Sequence, residues 1–127
     1  MEGVVIAVRA GTTLTRFADL LRGQEWQVDL RSEDELVVES GERHAYIIRD
    51  DGLASEYDGA DIMRVLLHVS NPIFLTLEFN DIDFAKDILE LIGNAPDLVI
   101  DNDHGDILPG TDFIKRVREN RAWDWRR

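Results

Sequence analysis

Cysteine is absent from this sequence. Its absence excludes disulfides and thiolate metal sites, and it is compatible with a reducing compartment. Long apolar runs are missing as well, since no stretch approaches the roughly 18 residues that a bilayer-spanning helix needs. The chain opens Met1-Glu2-Gly3-Val4-Val5-Ile6-Ala7-Val8-Arg9, five apolar residues behind an acid. That opening lacks the basic start and longer apolar core of a signal peptide, so cytoplasmic residence without membrane association is expected. Glycine-rich phosphate loops are also lacking, because Gly3, Gly11, Gly23 and Gly41 stand as isolated single residues.

Positive charge is in short supply. Lysine and arginine total 14 against 26 aspartates and glutamates, a formal net charge of -12. Such a field repels phosphate backbones and anionic lipid surfaces and favours cationic partners, so nucleic acid is not an expected ligand. The excess is concentrated: between Glu33 and Asp112 there are 20 acids and only four bases, Arg43, Arg49, Arg64 and Lys86. A surface selected only for solubility would carry a similar excess, and that reading stays open.

What is present suffices for a core. The 127 residues match one domain in length, 44% of them are hydrophobic, and aromatics run from Phe17 to Trp125. One domain over residues 1–127 is expected, without linker, repeat or low-complexity segment. Gly3 to Ala10 reads as a β-branched strand, and Gly11-Thr12-Thr13 supplies a turn with a hydroxyl N-cap. Leu14, Phe17, Ala18 and Leu21 recur at helical spacing, with Gly23 placed for a left-handed stop. Three short strands follow at Trp26 to Arg31, Leu36 to Glu39 and His44 to Arg49. After the cap candidate Asp58, a helix from Ala60 to Val69 would turn Ile62, Met63, Leu66 and Leu67 to the core, with His68 partly buried beside them.

Asn71-Pro72 breaks that helix, and Ile73 to Phe79 forms a strand. Asn80-Asp81 caps the clearest helix, with Phe84, Ala85, Ile88, Leu89 and Ile92 facing inward, Asp83, Lys86, Asp87 and Glu90 outward, and Gly93 ending it. Leu98 to Ile100 is a short strand, Asp101 to Gly110 a polar loop, and Thr111 caps a last helix through Phe113, Ile114 and Val117. The predicted order is β-α-β-β-β-α-β-α-β-α. It implies an α+β fold, a mostly antiparallel mixed sheet of about five to six strands with about four packed helices.

Catalytic motifs of high specificity are lacking, so binding is expected rather than catalysis, with no cofactor. His44, His68 and His104 lie 24 and 36 residues apart, without the i, i+4 pairing or thiolates of a zinc site. No nucleophile elbow accompanies Ser55, so a serine triad has no support. Two acidic loops stand out as candidate partner-binding surfaces. The first, Asp50 to Asp61, holds Asp50, Asp51, Glu56, Asp58 and Asp61 around Tyr57 and two glycines. Loops on a rigid scaffold are where binding residues sit, and Tyr57 is the type of side chain that anchors an interface. The second, Asp101-Asn102-Asp103-His104-Gly105-Asp106, brings Asp101, Asp103 and Asp106 together. Its carboxylates could gather calcium or magnesium, and a metal-binding protein or enzyme remains an alternative. It departs from the EF-hand pattern, however, with Gly105 at position 5, Asp106 at position 6 and Asp112 at position 12. A turn stabilised by Asx and glycine residues explains the same spelling.

The tail places Trp123 and Trp125 around Asp124, expected to dock on the body, among the cations Lys115, Arg116, Arg118, Arg121, Arg126 and Arg127. These cations suit a helix C-terminus and could pair with the acidic body.

A small, cysteine-free, acidic α/β chain with carboxylate-rich loops, ending in Gly105-Asp106-Ile107-Leu108-Pro109-Gly110-Thr111-Asp112-Phe113 and Trp123-Asp124-Trp125, resembles bacterial immunity proteins of polymorphic toxin systems. Contact-dependent inhibition and type VI secretion are the settings of such systems. The resemblance implies a cytoplasmic protein that neutralises a cognate basic toxin domain by direct binding. A nuclease is one such toxin, since it presents a cationic surface to phosphates. A housekeeping acidic protein without a tight partner is the third alternative.

Overall fold

The computed structural model describes residues 1–126. Arg127, counted above among the tail cations, lies outside the described residues. The elements run β1 (Glu2–Arg9), α1 (Leu14–Leu21), β2 (Gln27–Ser32), β3 (Glu35–Ser40), β4 (Arg43–Arg49), a short 3-10 turn (Leu53–Glu56), α2 (Gly59–Leu66), β5 (Pro72–Phe79), α3 (Ile82–Ile92), β6 (Leu98–Asp101), β7 (Ile107–Pro109) and α4 (Gly110–Glu119). The fold is α+β, as expected. Its seven strands lie in the order β2-β3-β4-β5-β1-β6-β7. Every pairing is antiparallel, so the sheet is not mixed.

β1 explains why its sequence is apolar throughout. It lies between β5 and β6, and strand geometry sends alternate side chains to opposite faces. Val4, Ile6 and Val8 join the larger core, beneath Phe17 of α1, Phe84 of α3 and Phe113 of α4. Val5 and Ala7 point the other way and pack with Val65, Val69, Phe74 and Ile107. The sheet is thus covered on both faces, by α1, α3 and α4 on one and by α2 with the 3-10 turn on the other.

Local capping chemistry is where it was expected. Thr13 Oγ1 accepts from Arg16 N at 3.4 Å, Asp58 Oδ1 from Asp61 N at 2.7 Å, and Asp81 Oδ1 from Phe84 N at 3.0 Å. Each satisfies an amide that the helix leaves without a carbonyl partner. Gly93 ends α3, its N–H bonded to Leu89 O at 2.7 Å.

Other details differ. Gly23 does not adopt the left-handed geometry, because α1 ends one residue earlier on Arg22 in right-handed helical conformation. Thr111 is inside α4, which starts at Gly110 behind Pro109 with no side-chain cap. The expected polar loop contains β7, whose pairing with β6 joins Ile107 to Asp101. Helical spacing puts Lys86 on the outer face of α3, but it is 2% exposed, its Nζ donating to the carbonyl of Arg121 at 2.7 Å. Its stem crosses apolar surface while its ammonium reaches a backbone acceptor in the returning tail, which places a charged residue inside without stranding it.

That tail docks as expected. Trp125 is 2% exposed and packs edge-on against Phe79 and Phe113, and Trp123 stacks near Phe113 beneath the guanidinium of Arg116. Arg121 pairs with Asp87 and Glu90 of α3, and Arg126 with Asp124 and Glu2. The terminal cations therefore neutralise acids around α3 and the start of β1.

Candidate functional site

Two loops joined by the pair Tyr57 and Asp101, 44 positions apart in sequence, meet at the sheet face beneath α2. The sheet register sets one side of the meeting. Val5 of β1 stands opposite Asp101 of β6, so both side chains project to the same face, the one covered by α2 and the 3-10 turn. The 3-10 turn and the cap of α2 set the other side. They lean Tyr57 against Phe74, with ring centroids 5.5 Å apart, and Tyr57 Oη donates to Asp101 Oδ2 at 2.6 Å.

The result is a cleft of about 260 Å³ lined by Val5, Leu53, Glu56, Tyr57, Asp58, Asp61, Asp101 and Asp103. Among the described residues no base lines it. Continuing along α2, a smaller hollow of about 180 Å³ adds Arg64, Gly105 and Ile107 to Asp61, Asp101 and Asp103. A larger hollow of about 510 Å³ lies at the start of α4, with Asp97 and His68 as its only ionisable lining. It holds no comparable concentration of charge. His68 is exposed there, not partly buried as expected.

Of the nine residues expected to bind a partner, six line the acidic cleft: Glu56, Tyr57, Asp58, Asp61, Asp101 and Asp103. Asp50, Asp51 and Asp106 do not. Asp50 Oδ1 accepts from Gly52 N at 3.2 Å and so shapes the loop's turn, while Asp51 Oδ1 lies 2.7 Å from Arg49 Nε. Asp106 accepts from Arg116 Nη1 at 3.1 Å and from Asn102 Nδ2 at 2.9 Å. Its charge is compensated at the side of the loop nearest α4.

The carboxylates in the cleft divide by duty. Asp58 caps α2 and Asp101 is bonded to Tyr57, while Asp61 lies 3.6 Å from Arg64 in a mutually exposed pair that contributes little. Among the described residues the carboxylates of Glu56 and Asp103 make no hydrogen bond or ion pair. They are the free charges of the cleft. Tyr57 is not an acid at ordinary pH. Burial, then the hydrogen bond to Asp101, then the charges of Asp101, Asp103 and Asp61 all push its phenol far above the usual tyrosine range. It stays a neutral donor that cross-links the two loops.

Asn102 organises the second loop, a role its composition did not single out. It is 1% exposed, and its Oδ1 accepts from His104 N at 2.8 Å and Asp106 N at 3.2 Å. Asp101 Oδ1 accepts from Asp103 N at 2.8 Å, with Asp103 at φ 62° and Gly105 at φ 103°. The signal was the Asp-Asn-Asp-x-Gly spelling itself, which is that of nested Asx turns. The loop's amides are held by Asp101 Oδ1 and Asn102 Oδ1, and among the described residues no three carboxylates or histidines converge as metal ligands.

The fold and cleft define an antiparallel α+β protein with a carboxylate-lined groove on the less covered face of its sheet. No family model, curated protein or solved structure matches the chain. No helix among the described residues is long and apolar enough to cross a membrane.

Proposed function

We propose that this chain is an immunity-type inhibitor, a cytoplasmic protein that binds a cognate cationic toxin domain and neutralises it. The observation that carries the reading is the convergence of both acidic loops on one cleft, with Glu56 and Asp103 left uncompensated at its rim. A solubilising surface would gain nothing from gathering like charges, which repel one another at a cost to stability. A cationic partner turns that repulsion into attraction and is drawn in by the same field before contact. A toxin that grips phosphates, such as a nuclease, presents the complementary surface. The secretion-linked setting, contact-dependent or type VI, comes from the resemblance and not from the cleft.

The test begins with the product of the neighbouring gene, which on this reading is toxic when expressed alone and harmless when co-expressed with this chain. Association measured by stopped flow should slow by an order of magnitude or more between low and physiological salt. Reversal of Glu56, Asp61 and Asp103 to lysine should abolish protection while leaving the circular dichroism spectrum intact. Protection that survives the reversal, with association indifferent to salt, would end the proposal.

A further inference from the structure

The cover that α2 and the 3-10 turn provide reaches only part of their sheet face. The apolar residues of the sheet packed beneath them come from β1, β5, β6 and β7, with none from β2, β3 or β4 among the described residues. α2 packs through Ile62 and Val65, while Met63, Leu66 and Leu67, which periodicity assigns to the core, are exposed. Strand alternation fixes what the uncovered part presents. Leu36 and Val38 of β3 and Ala45 and Ile47 of β4 join the larger core, so their sequence neighbours turn the other way. Val37, Tyr46 and Ile48 therefore share the open face, and none of the three belongs to either core cluster. An antiparallel sheet that faces water ordinarily turns polar side chains outward. Here the middle of β4 presents a partly exposed tyrosine and isoleucine instead.

Register places a carboxylate beside the ring. Tyr46 stands opposite Glu78 of β5, and directly opposed residues carry their Cβ atoms about 4.5–5.5 Å apart. On the same face Arg31 lies 3.7 Å from Asp29 and 3.9 Å from Glu35, and His44 Nδ1 lies 3.9 Å from Glu39. Among the described residues the Glu78 carboxylate makes no ion pair or hydrogen bond, and no cation stands over Tyr46. Elsewhere the chain completes this arrangement itself. Arg43 Cζ sits 4.7 Å from the Phe84 ring centroid with Nη1 3.9 Å from Asp87. Arg116 Cζ sits 4.4 Å from the Trp123 centroid with Nη1 3.1 Å from Asp106. Each is a guanidinium laid on a ring and paired with a carboxylate, a combination that suits arginine better than lysine. Tyr46 and Glu78 form a third such aromatic–carboxylate pair, to which the described residues contribute no arginine.

We propose that the open face receives an arginine of a basic protein partner, its guanidinium over Tyr46 and against Glu78, its stem along Ile48. This rests on reading the chain as a binder of a cationic protein, and it puts the contact on the same surface as the cleft. Ile48 stands opposite Thr76, Thr76 opposite Val5, and Val5 opposite Asp101. Three strand spacings of about 4.8 Å separate β4 from β6, roughly 14 Å in all, which a single interface of standard size spans. Charge complementarity selects the occupant on this one face. A second copy would bring its own unpaired Glu78 against the first, and a neutral segment would cover the carboxylate without a countercharge.

Tri-arginine and tri-lysine peptides carry equal side-chain charge and so separate stacking from simple attraction. Titrated into the isotope-labelled protein, tri-arginine should shift the ring protons of Tyr46 and the methyls of Ile48, and bind about threefold more tightly than tri-lysine. Tyr46→Leu should remove that preference and Tyr46→Phe should keep it. Glu78→Gln should weaken tri-arginine about threefold. If Tyr46→Leu does not fold, the ring shifts of the wild type and the Glu78→Gln comparison decide. Equal binding of the two peptides with Tyr46 unmoved, while both still shift Tyr57 and weaken with salt, overturns this inference and leaves the cleft reading standing. A response at neither tyrosine sinks both. Self-association of the wild type that Tyr46→Leu abolishes assigns the face to a second copy and overturns the proposal, as does equal affinity of this face for a neutral serine–leucine peptide.

Discussion

Tyr57 joins the two loops through one short hydrogen bond, and its phenol carries both a structural and a titration consequence. Removing the hydroxyl in Tyr57→Phe keeps the ring against Phe74 and deletes the bond to Asp101. The site is half-buried, so the loss at neutral pH should be about 1.5 kcal/mol, the lower end for bonds to a charged acceptor. The pH dependence has a definite sign. Because folding raises the pKa of Tyr57, the folded state holds that proton more tightly than the unfolded chain. This contribution is complete below the ordinary tyrosine pKa of about 10 and is lost as pH rises beyond it. Denaturant melts above that pH should therefore show a steeper loss of stability in the wild type than in Tyr57→Phe. In the wild type one of the two tyrosines should resist ionisation, by tyrosinate absorbance, until the protein unfolds. Identical pH slopes in the two proteins would show that folding does not raise the pKa of Tyr57.

At the scale of elements, the helix pair α3 and α4 depends on two glycines that allow close approach. A Cβ on Gly110 would overlap the carbonyl oxygen of Gly93 and lie 2.7 Å from Leu98 Cδ2. Backbone cannot yield as a side-chain tip does. Gly110→Ala should therefore cost about 1–3 kcal/mol by overpacking, even though alanine is the better helix former. Chemical denaturation checks this, and an unchanged midpoint would mean that α4 can slide away from α3. The same elements separate what the sequence discloses from what it conceals. α1 and α3 were legible because a cap residue and one apolar stripe sit within a single helix's reach. α2 was legible as a helix but not in its orientation, since Ile62, Val65 and Val69 make one apolar stripe and Met63, Leu66 and Leu67 another. Periodicity finds both stripes and only tertiary packing chooses between them. β7 is three residues with a terminal proline, and its strand character comes from its pairing with β6. The inward position of Lys86 is not local either, since its buried acceptor is the carbonyl of Arg121, 35 positions away. Composition identified both acidic loops, but their meeting depends on the register of Val5 with Asp101, which nothing local encodes.

Across the whole molecule the charge is sorted. The basic C-terminal segment binds back to α3, to Glu2 and, through Arg116, to Asp106, so among the described residues the tail adds no cation to the lining of the cleft. Five carboxylates remain gathered around Tyr57, and the two unpaired ones have no structural duty to set against their repulsion. Stability and binding should therefore move in opposite directions when that repulsion is relieved. Glu56→Gln/Asp103→Asn keeps shape and hydrogen-bonding capacity while removing two negative charges. The melting temperature should rise by about 1–3 °C at low salt, with most of the gain gone at an ionic strength where the Debye length falls to roughly 8 Å. Affinity for a cationic partner should fall in the same variant, mainly through slower association. A residue kept only for folding would show the reverse, since its removal lowers the melting temperature. Calorimetric scans at two ionic strengths, paired with association kinetics on the same samples, distinguish the two. A variant that melts lower, or that binds as fast as the wild type, would return these carboxylates to the general solvated surface.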